Sequence, residues 1–189
     1  MPVNEKKRGR PAGAMKVLNA EVIVESAKSL MRDSGDVPSI RKLAASLNVD
    51  AMAIYHYFKN KKVLLEAITV SLIAGIYSPS ASGQWQGELE QLSLSYLQLL
   101  NDYSGLLETL LSMDSAGPAT VFSEKFHKII KSSGLSEADE KYALDLLVDY
   151  LHGFAFAMSC NRQKGELTTE MIYGPLKLYF AGIGALIKK

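Results

Sequence analysis

Residues 39–60, SIRKLAASLNVDAMAIYHYFKN, hold the side chains whose types and spacing point most clearly to chemistry. If 51–58 is helical, Ile54, Tyr55 and Phe58 can turn inward with Val49, which leaves Ala51, Met52, Ala53, His56 and Tyr57 pointing largely outward. That outward set contains two methyls, a thioether, an imidazole and a phenol, and it carries almost no charge. Such a face is odd in plain water. It suits the major groove of DNA, where small and apolar groups approach base edges and thymine methyls.

The elements that must position this face can be read on either side of it. Ile40, Leu43, Ala44 and Leu47 recur at i, i+3, i+4 and i+7, one apolar helical face, with Ser39 placed to cap it. Asn48 tolerates a left-handed backbone, Val49 is a turn residue that buries, and Asp50 can cap the next helix. The pattern is a helix, a tight corner and a second helix. Upstream, 19–34 is helical, with Asn19 as cap, Ile23, Ala27, Leu30 and Met31 on one face, and Gly35 as the stop. Downstream, Asn60 can cap a long helix bearing Leu64, Ala67, Ile68 and Leu72. Two helices therefore brace the pair.

The net charge of +1 conceals an asymmetry. Residues 1–62 carry twelve Lys and Arg against six Asp and Glu, while 63–189 carry nine against fourteen. A basic N-terminal third on an acidic remainder fits a nucleic-acid-binding module joined to a different module. Residues 1–16 lack apolar period and form an arm, in which Lys6-Lys7-Arg8-Gly9-Arg10-Pro11 resembles an AT-hook core. An extended Arg-Gly-Arg-Pro backbone fits a narrow A·T minor groove with Arg8 and Arg10 in its negative potential; the alternative is a solubilising basic tail.

Residues 78–87, SPSASGQWQG, break the composition and read as an exposed connection. Beyond it the pattern is helical over 88–103, 106–115, 120–133, 137–162 and 168–188, with no strand alternation. The fold class is all-α: a basic arm over 1–16, a helix-turn-helix domain over 17–77, and a helical effector-binding and dimerisation domain over 78–189. On 137–162, Ala143, Leu147, Tyr150, Phe154 and Met158 form one apolar row and Leu144, Val148, Leu151 and Ala155 another. A helix apolar around most of its circumference needs cover on several sides. The last helix adds Ala181, Gly182, Gly184 and Ala185, which permit close approach. Both surfaces suit a homodimer through a four-helix interface; a central core helix is the other explanation.

Cys160 stands alone, so no intramolecular disulfide forms, a reducing cytoplasm is expected, and the thiol reads as partly buried and inert. No Cys/His set has metal spacing, no cofactor motif is present, and no apolar run reaches the roughly 20 residues a membrane span needs. A soluble, intracellular protein without a membrane partner is expected.

With these elements in place, the chain resembles the tetracycline-repressor (TetR) family of one-component transcriptional regulators over about residues 18–72. Arg41-Lys42-Leu43-Ala44, Leu47, Val49, Ile54-Tyr55, Tyr57-Phe58, Lys59-Asn60-Lys61 and Leu64-Leu65 carry the resemblance. It implies that Ser39 meets a phosphate through its hydroxyl and the helix start, and that Arg41 reaches a guanine edge or a phosphate. Tyr55 and Tyr57 would hydrogen-bond phosphates, Tyr55 having packing as its alternative role, and Lys61 would add a charged clamp. Base reading would fall to Ala51, Met52, Ala53 and His56. A cavity in the second domain could draw on Trp85, Tyr96, Tyr103, Met113, Phe122, Phe126, His127, Tyr150, His152, Phe154 and Met158, for an apolar or aromatic small-molecule effector. His127 and His152 lack accompanying carboxylate ligands, so no metal site is expected.

The function that follows is a ligand-responsive repressor that binds a near-palindromic operator on double-stranded DNA as a dimer, in the bacterial cytoplasm and on the nucleoid. An effector-independent binder of A·T tracts is the alternative. No Gly-rich phosphate loop, nucleophile elbow or paired Glu-x-x-His motif is present to support an enzyme.

Overall fold

In the computed structural model, which describes residues 17–80, 82–161 and 166–187, the first four helices each start on a side-chain cap. Asn19 Oδ1 accepts from Val22 N (2.8 Å) at the head of α1 (Ala20–Ser34), and Ser39 Oγ accepts from Lys42 N (3.1 Å) at α2 (Ile40–Ser46). Asp50 Oδ1 accepts from Met52 N (2.7 Å) at α3 (Ala51–Tyr57), and Asn60 Oδ1 from Val63 N (2.9 Å) at α4 (Lys61–Ala74). Each cap satisfies an amide that the helix cannot. Gly35 closes α1 in the left-handed conformation at φ 76°, and Asn48 takes φ 54° in the corner between α2 and α3. Ile23, Ala27, Met31, Leu43, Ile54, Leu64 and Ile68 fill the core that these helices share.

The second half contains α5 (Trp85–Asp102), α6 (Leu106–Ser112), α7 (Gly117–Ile130), α8 (Glu137–Asn161), a 3-10 turn (Thr169–Ile172) and α9 (Tyr173–Leu186). Among the described residues there is no strand. α4 makes its broadest contact with α7, so the small first bundle is mounted on the larger second one. A second junction lies beside Gly35 and Gly105, whose backbones approach so closely that a Cβ on Gly105 would sit 2.3 Å from the Gly35 carbonyl oxygen. Next to it, Arg32 Nη2 donates to Tyr103 Oη (2.9 Å), with the guanidinium carbon 5.1 Å from the Tyr103 ring centre.

Several expectations need correction. The connection after α4 is not simply exposed: Pro79 and Trp85 are buried, and Trp85 already belongs to α5. The reason is Glu88, a buried carboxylate whose Oε1 accepts from Ser80 Oγ (2.7 Å), Ser82 N (2.8 Å) and Ser82 Oγ (2.7 Å). A buried charge needs such donors, and here they fold the connection onto the helix start. Trp85 also meets Phe180 of α9 edge-on at 5.6 Å. α6 ends at Ser112, short of Ser115, whose hydroxyl is drawn to Glu66 of α4. On α8 the buried row is Ala143, Leu147, Leu151, Ala155 and Met158, while Cys160 is exposed rather than partly buried. α8 is also long and apolar enough, by length and composition, to cross a membrane, because Asp145 and Asp149 interrupt its apolar runs without lowering mean hydropathy far.

Candidate nucleic-acid interface and effector cavity

Ile54 and Phe58 anchor α3 in the core, which fixes the side it presents outward. Met52 is 71% exposed, and His56 is also open. Tyr55 is 40% exposed, so it is covered over more than half of its surface and still partly open to a partner. Ala53 is half-buried, and so is Ala51, which leans on the core and has less of its methyl available to a base edge. Ser39 Oγ accepts from Lys42 N and still has a hydroxyl proton to donate. Arg41 and Lys61 are exposed. Lys62, next to Lys61, is instead held to Asp114 at 2.9 Å, an ion pair in full solvent that raises the lysine and lowers the aspartate relative to their ordinary values. Tyr57 has a different duty from the expected one. Its hydroxyl donates to the Leu18 carbonyl oxygen (2.7 Å), so its proton ties α3 to the start of α1 and is not available to a phosphate. Arg8 and Arg10 lie outside the described residues.

Between the second half and α4 lies an open-mouthed cavity of about 430 Å3. Ile73 of α4 contributes to its wall, as do Tyr96 of α5, Leu110 and Leu111 of α6, and Ser115 of the following loop. α7 supplies Pro118, Ala119, Phe122 and Ser123; α8 supplies Leu144, Asp145, Val148, Asp149 and His152. Tyr96 Oη lies 2.8 Å from His152 Nε2, and its ring centre is 4.9 Å from that of Phe122. Burial raises the Tyr96 phenol and lowers the His152 imidazole, the latter opposed by Asp149, so the two share a hydrogen bond as neutral groups, its direction set by the imidazole tautomer. Ser115 Oγ donates to Glu66 Oε1, which links the cavity wall to α4 by a hydrogen bond beside the direct contact through Ile73. Among the described residues no group of three His, Cys, Asp or Glu side chains could hold a metal ion.

A sequence model described as bacterial regulatory proteins, tetR family, matches residues 23–68, from inside α1 to inside α4. A second, described as tetracyclin repressor-like, C-terminal domain, matches residues 79–172. The chain belongs to the TetR family. The class D tetracycline repressor of Escherichia coli is 32% identical to it over 90 residues, 46% of this chain and 41% of that protein, so the match spans less than half of that relative. The class C tetracycline repressor of Escherichia coli is 24% identical over 177 residues, 88% of this chain and 81% of that protein. The same fold occurs in the TetR-family protein ActR of Streptomyces coelicolor, solved with actinorhodin (TM-score 0.77, 18% identity, 90% of this chain and 97% of that one). It also occurs in BioQ solved with its natural double-stranded DNA operator (TM-score 0.70, 22% identity, 89% of this chain and 99% of that one).

In this TetR-family chain the aromatic residues expected around a ligand separate into distinct places. Tyr96, Phe122 and His152 line the cavity. Tyr103 is buried at the junction with Arg32, and Phe126 and Met158 are core residues. His127 is exposed on α7, its Nδ1 3.3 Å from Glu140 Oε2. Tyr150 faces a shallow apolar groove between α8 and α9, and its ring meets that of the half-buried Phe154 at 6.0 Å. Ser115, Ala119, Ser123, Asp145 and Asp149 were missed. Asp145, Asp149 and His152 do carry a signal, since i, i+4 and i+7 is one helical face.

Proposed function

We propose that this chain is a transcriptional repressor that grips a near-palindromic DNA operator as a homodimer and releases it when a small molecule fills the cavity. One observation carries the proposal: the wall of the cavity includes Ile73 of α4, the helix that also packs on α1, which in turn packs on α2 and through it on α3. An occupant that displaces α4 shifts the recognition helix, and ligand and operator then oppose each other's binding. The names of the tetracycline repressors, and the solved complexes of BioQ with its operator and ActR with actinorhodin, support both halves of the proposal.

The division is an arm over 1–16, a head over 17–77 and a body over 78–189. In the head, Ser39, Arg41, Tyr55 and Lys61 hold phosphates, while Met52, Ala53 and His56, with a lesser part for Ala51, read bases. Tyr57 fixes the angle of α3, and Arg8 and Arg10 of the arm enter the adjacent A·T minor groove. Dimerisation through α8 and α9 is supported by the apolar side chains that one copy leaves uncovered, among them Tyr142, Leu146 and Phe156 on α8 and Leu178 on α9. Tyr179 Oη donates to the Ala143 carbonyl oxygen (2.7 Å), which holds the two helices as one surface. The site of action is the bacterial cytoplasm, at the nucleoid, and no catalytic step is assigned.

Selection from random DNA followed by anisotropy titration tests the proposal. The expected product is an inverted repeat whose half-sites lie roughly one helical turn apart, about 34–36 Å, or a variation on that spacing. Binding without preference for any inverted repeat overturns it.

A further inference from the structure

Every formally charged side chain on the cavity wall is acidic. Asp145 and Asp149 stand one turn apart on α8 at the solvent-facing rim, and among the described residues no Lys or Arg contributes to the lining. The two carboxylates are not equivalent. Asp145 is held by Lys141 at 2.5 Å, whereas Asp149 forms no ion pair and accepts no hydrogen bond among the described residues. His152, three residues on, does not neutralise Asp149, because burial holds its imidazole below the ordinary value and its Nε2 is occupied by the Tyr96 hydroxyl. Beneath this rim the wall is apolar and aromatic, with Phe122 and Tyr96 ring to ring.

We propose that the cavity takes an amphipathic organic cation: an aromatic or apolar body bearing a protonated amine or quaternary ammonium, with its charge against Asp149 and its body on Phe122 and Tyr96. The proposal rests on the effector role given to this cavity above. An anion of the same shape meets an uncompensated carboxylate and is repelled. A neutral molecule gains the apolar contact but lets Asp149 remain in water, and forgoes the charge attraction. The faces of Tyr96 and Phe122 add to the preference, since aromatic rings attract cations brought within about 6 Å of their centres.

Calorimetric titration of the full chain at neutral pH with three probes of matched shape tests this: 2-naphthylmethylammonium, 2-naphthylmethanol and 2-naphthoate. The ammonium is expected to bind about tenfold more tightly than the alcohol, equivalent to about 1.4 kcal/mol, with naphthoate weakest. Asp149→Asn, an exposed and nearly isosteric change, should remove the advantage of the ammonium and leave the alcohol unaffected. Ala119→Phe, which fills the cavity from α7, should abolish binding of all three. Failure of the ammonium to bind, equal or tighter binding of alcohol or naphthoate, or a cationic advantage that survives Asp149→Asn, overturns the proposal. Loss of binding in Ala119→Phe with no cationic advantage overturns the ligand class and leaves the cavity as the place where the probes bind. Ammonium binding that Ala119→Phe does not touch removes both.

Discussion

The head and the body begin their helices in different ways. α1, α2, α3 and α4 each start at a side chain that accepts a backbone amide, whereas α5, α6, α7 and α9 start with no side-chain hydrogen bond at the cap; α8 is the body's exception, with Asp139 N donating to Ser136 Oγ (3.2 Å). A cap contributes about 1 kcal/mol and, more to the point, fixes where the helix begins. In the head, then, local chemistry sets the geometry of a small unit whose outward face must keep its shape. In the body local bonds hold fewer of the helix starts, those of α5 through Glu88 and of α8 through Ser136 among them, and the rest depend on packing, some of which surrounds a cavity. A unit held by local bonds moves as a piece; a unit held by packing around a void can adjust when the void is filled.

The widest test of this contrast is a loss of packing in the body. Phe126→Ala removes a fully buried ring and should cost about 3–5 kcal/mol in urea unfolding. A cost near that of a single cap would mean that packing does not hold the body. The next effect belongs to the junction. Gly105→Ala sets a methyl against the Gly35 carbonyl oxygen, a backbone atom that cannot swing away, so destabilisation of about 1–3 kcal/mol is expected, read by the same unfolding curve. An unchanged midpoint would show that head and body are not pressed together there.

Much of the head is legible in the sequence, for a physical reason. Asn19, Ser39, Asp50 and Asn60 each precede an apolar-periodic run, and a cap acts over three residues, within the reach of a local pattern. The Tyr57–Leu18 hydrogen bond spans 39 residues and left no local mark, which is why a phenol on an outward face read as a phosphate contact. The cavity was harder still. Phe122 and Phe126 are the same residue one turn apart on α7, yet one faces the cavity and the other the core, a distinction made only by the placement of α4, α5 and α8. Glu88 looked like the first acidic residue of a helix, and its burial under Ser80 and Ser82 moved the start of α5 back to Trp85.

Smaller effects separate the two kinds of helix start. Asp50→Ala and Asn60→Ala should each cost about 1 kcal/mol by urea unfolding, whereas Gln84→Ala, at a start without a side-chain cap, should stay within about 0.5 kcal/mol of the parent. Equal costs at all three would erase the distinction. Tyr57→Phe loses one hydrogen bond at an exposed position and should cost about 0.5–1 kcal/mol in the same measurement. Operator affinity should fall for this variant because α3 is less firmly aimed, with sequence preference kept. A changed preference would instead place Tyr57 among the base-reading groups.

The central claim is that the cavity and the head oppose each other through α4. Its most direct test takes a ligand that raises the melting temperature of the chain and measures operator affinity with and without it, then ligand affinity with and without operator. Linkage requires both affinities to fall by the same factor, and the account predicts a factor well above one. Operator affinity unchanged at saturating ligand would contradict it.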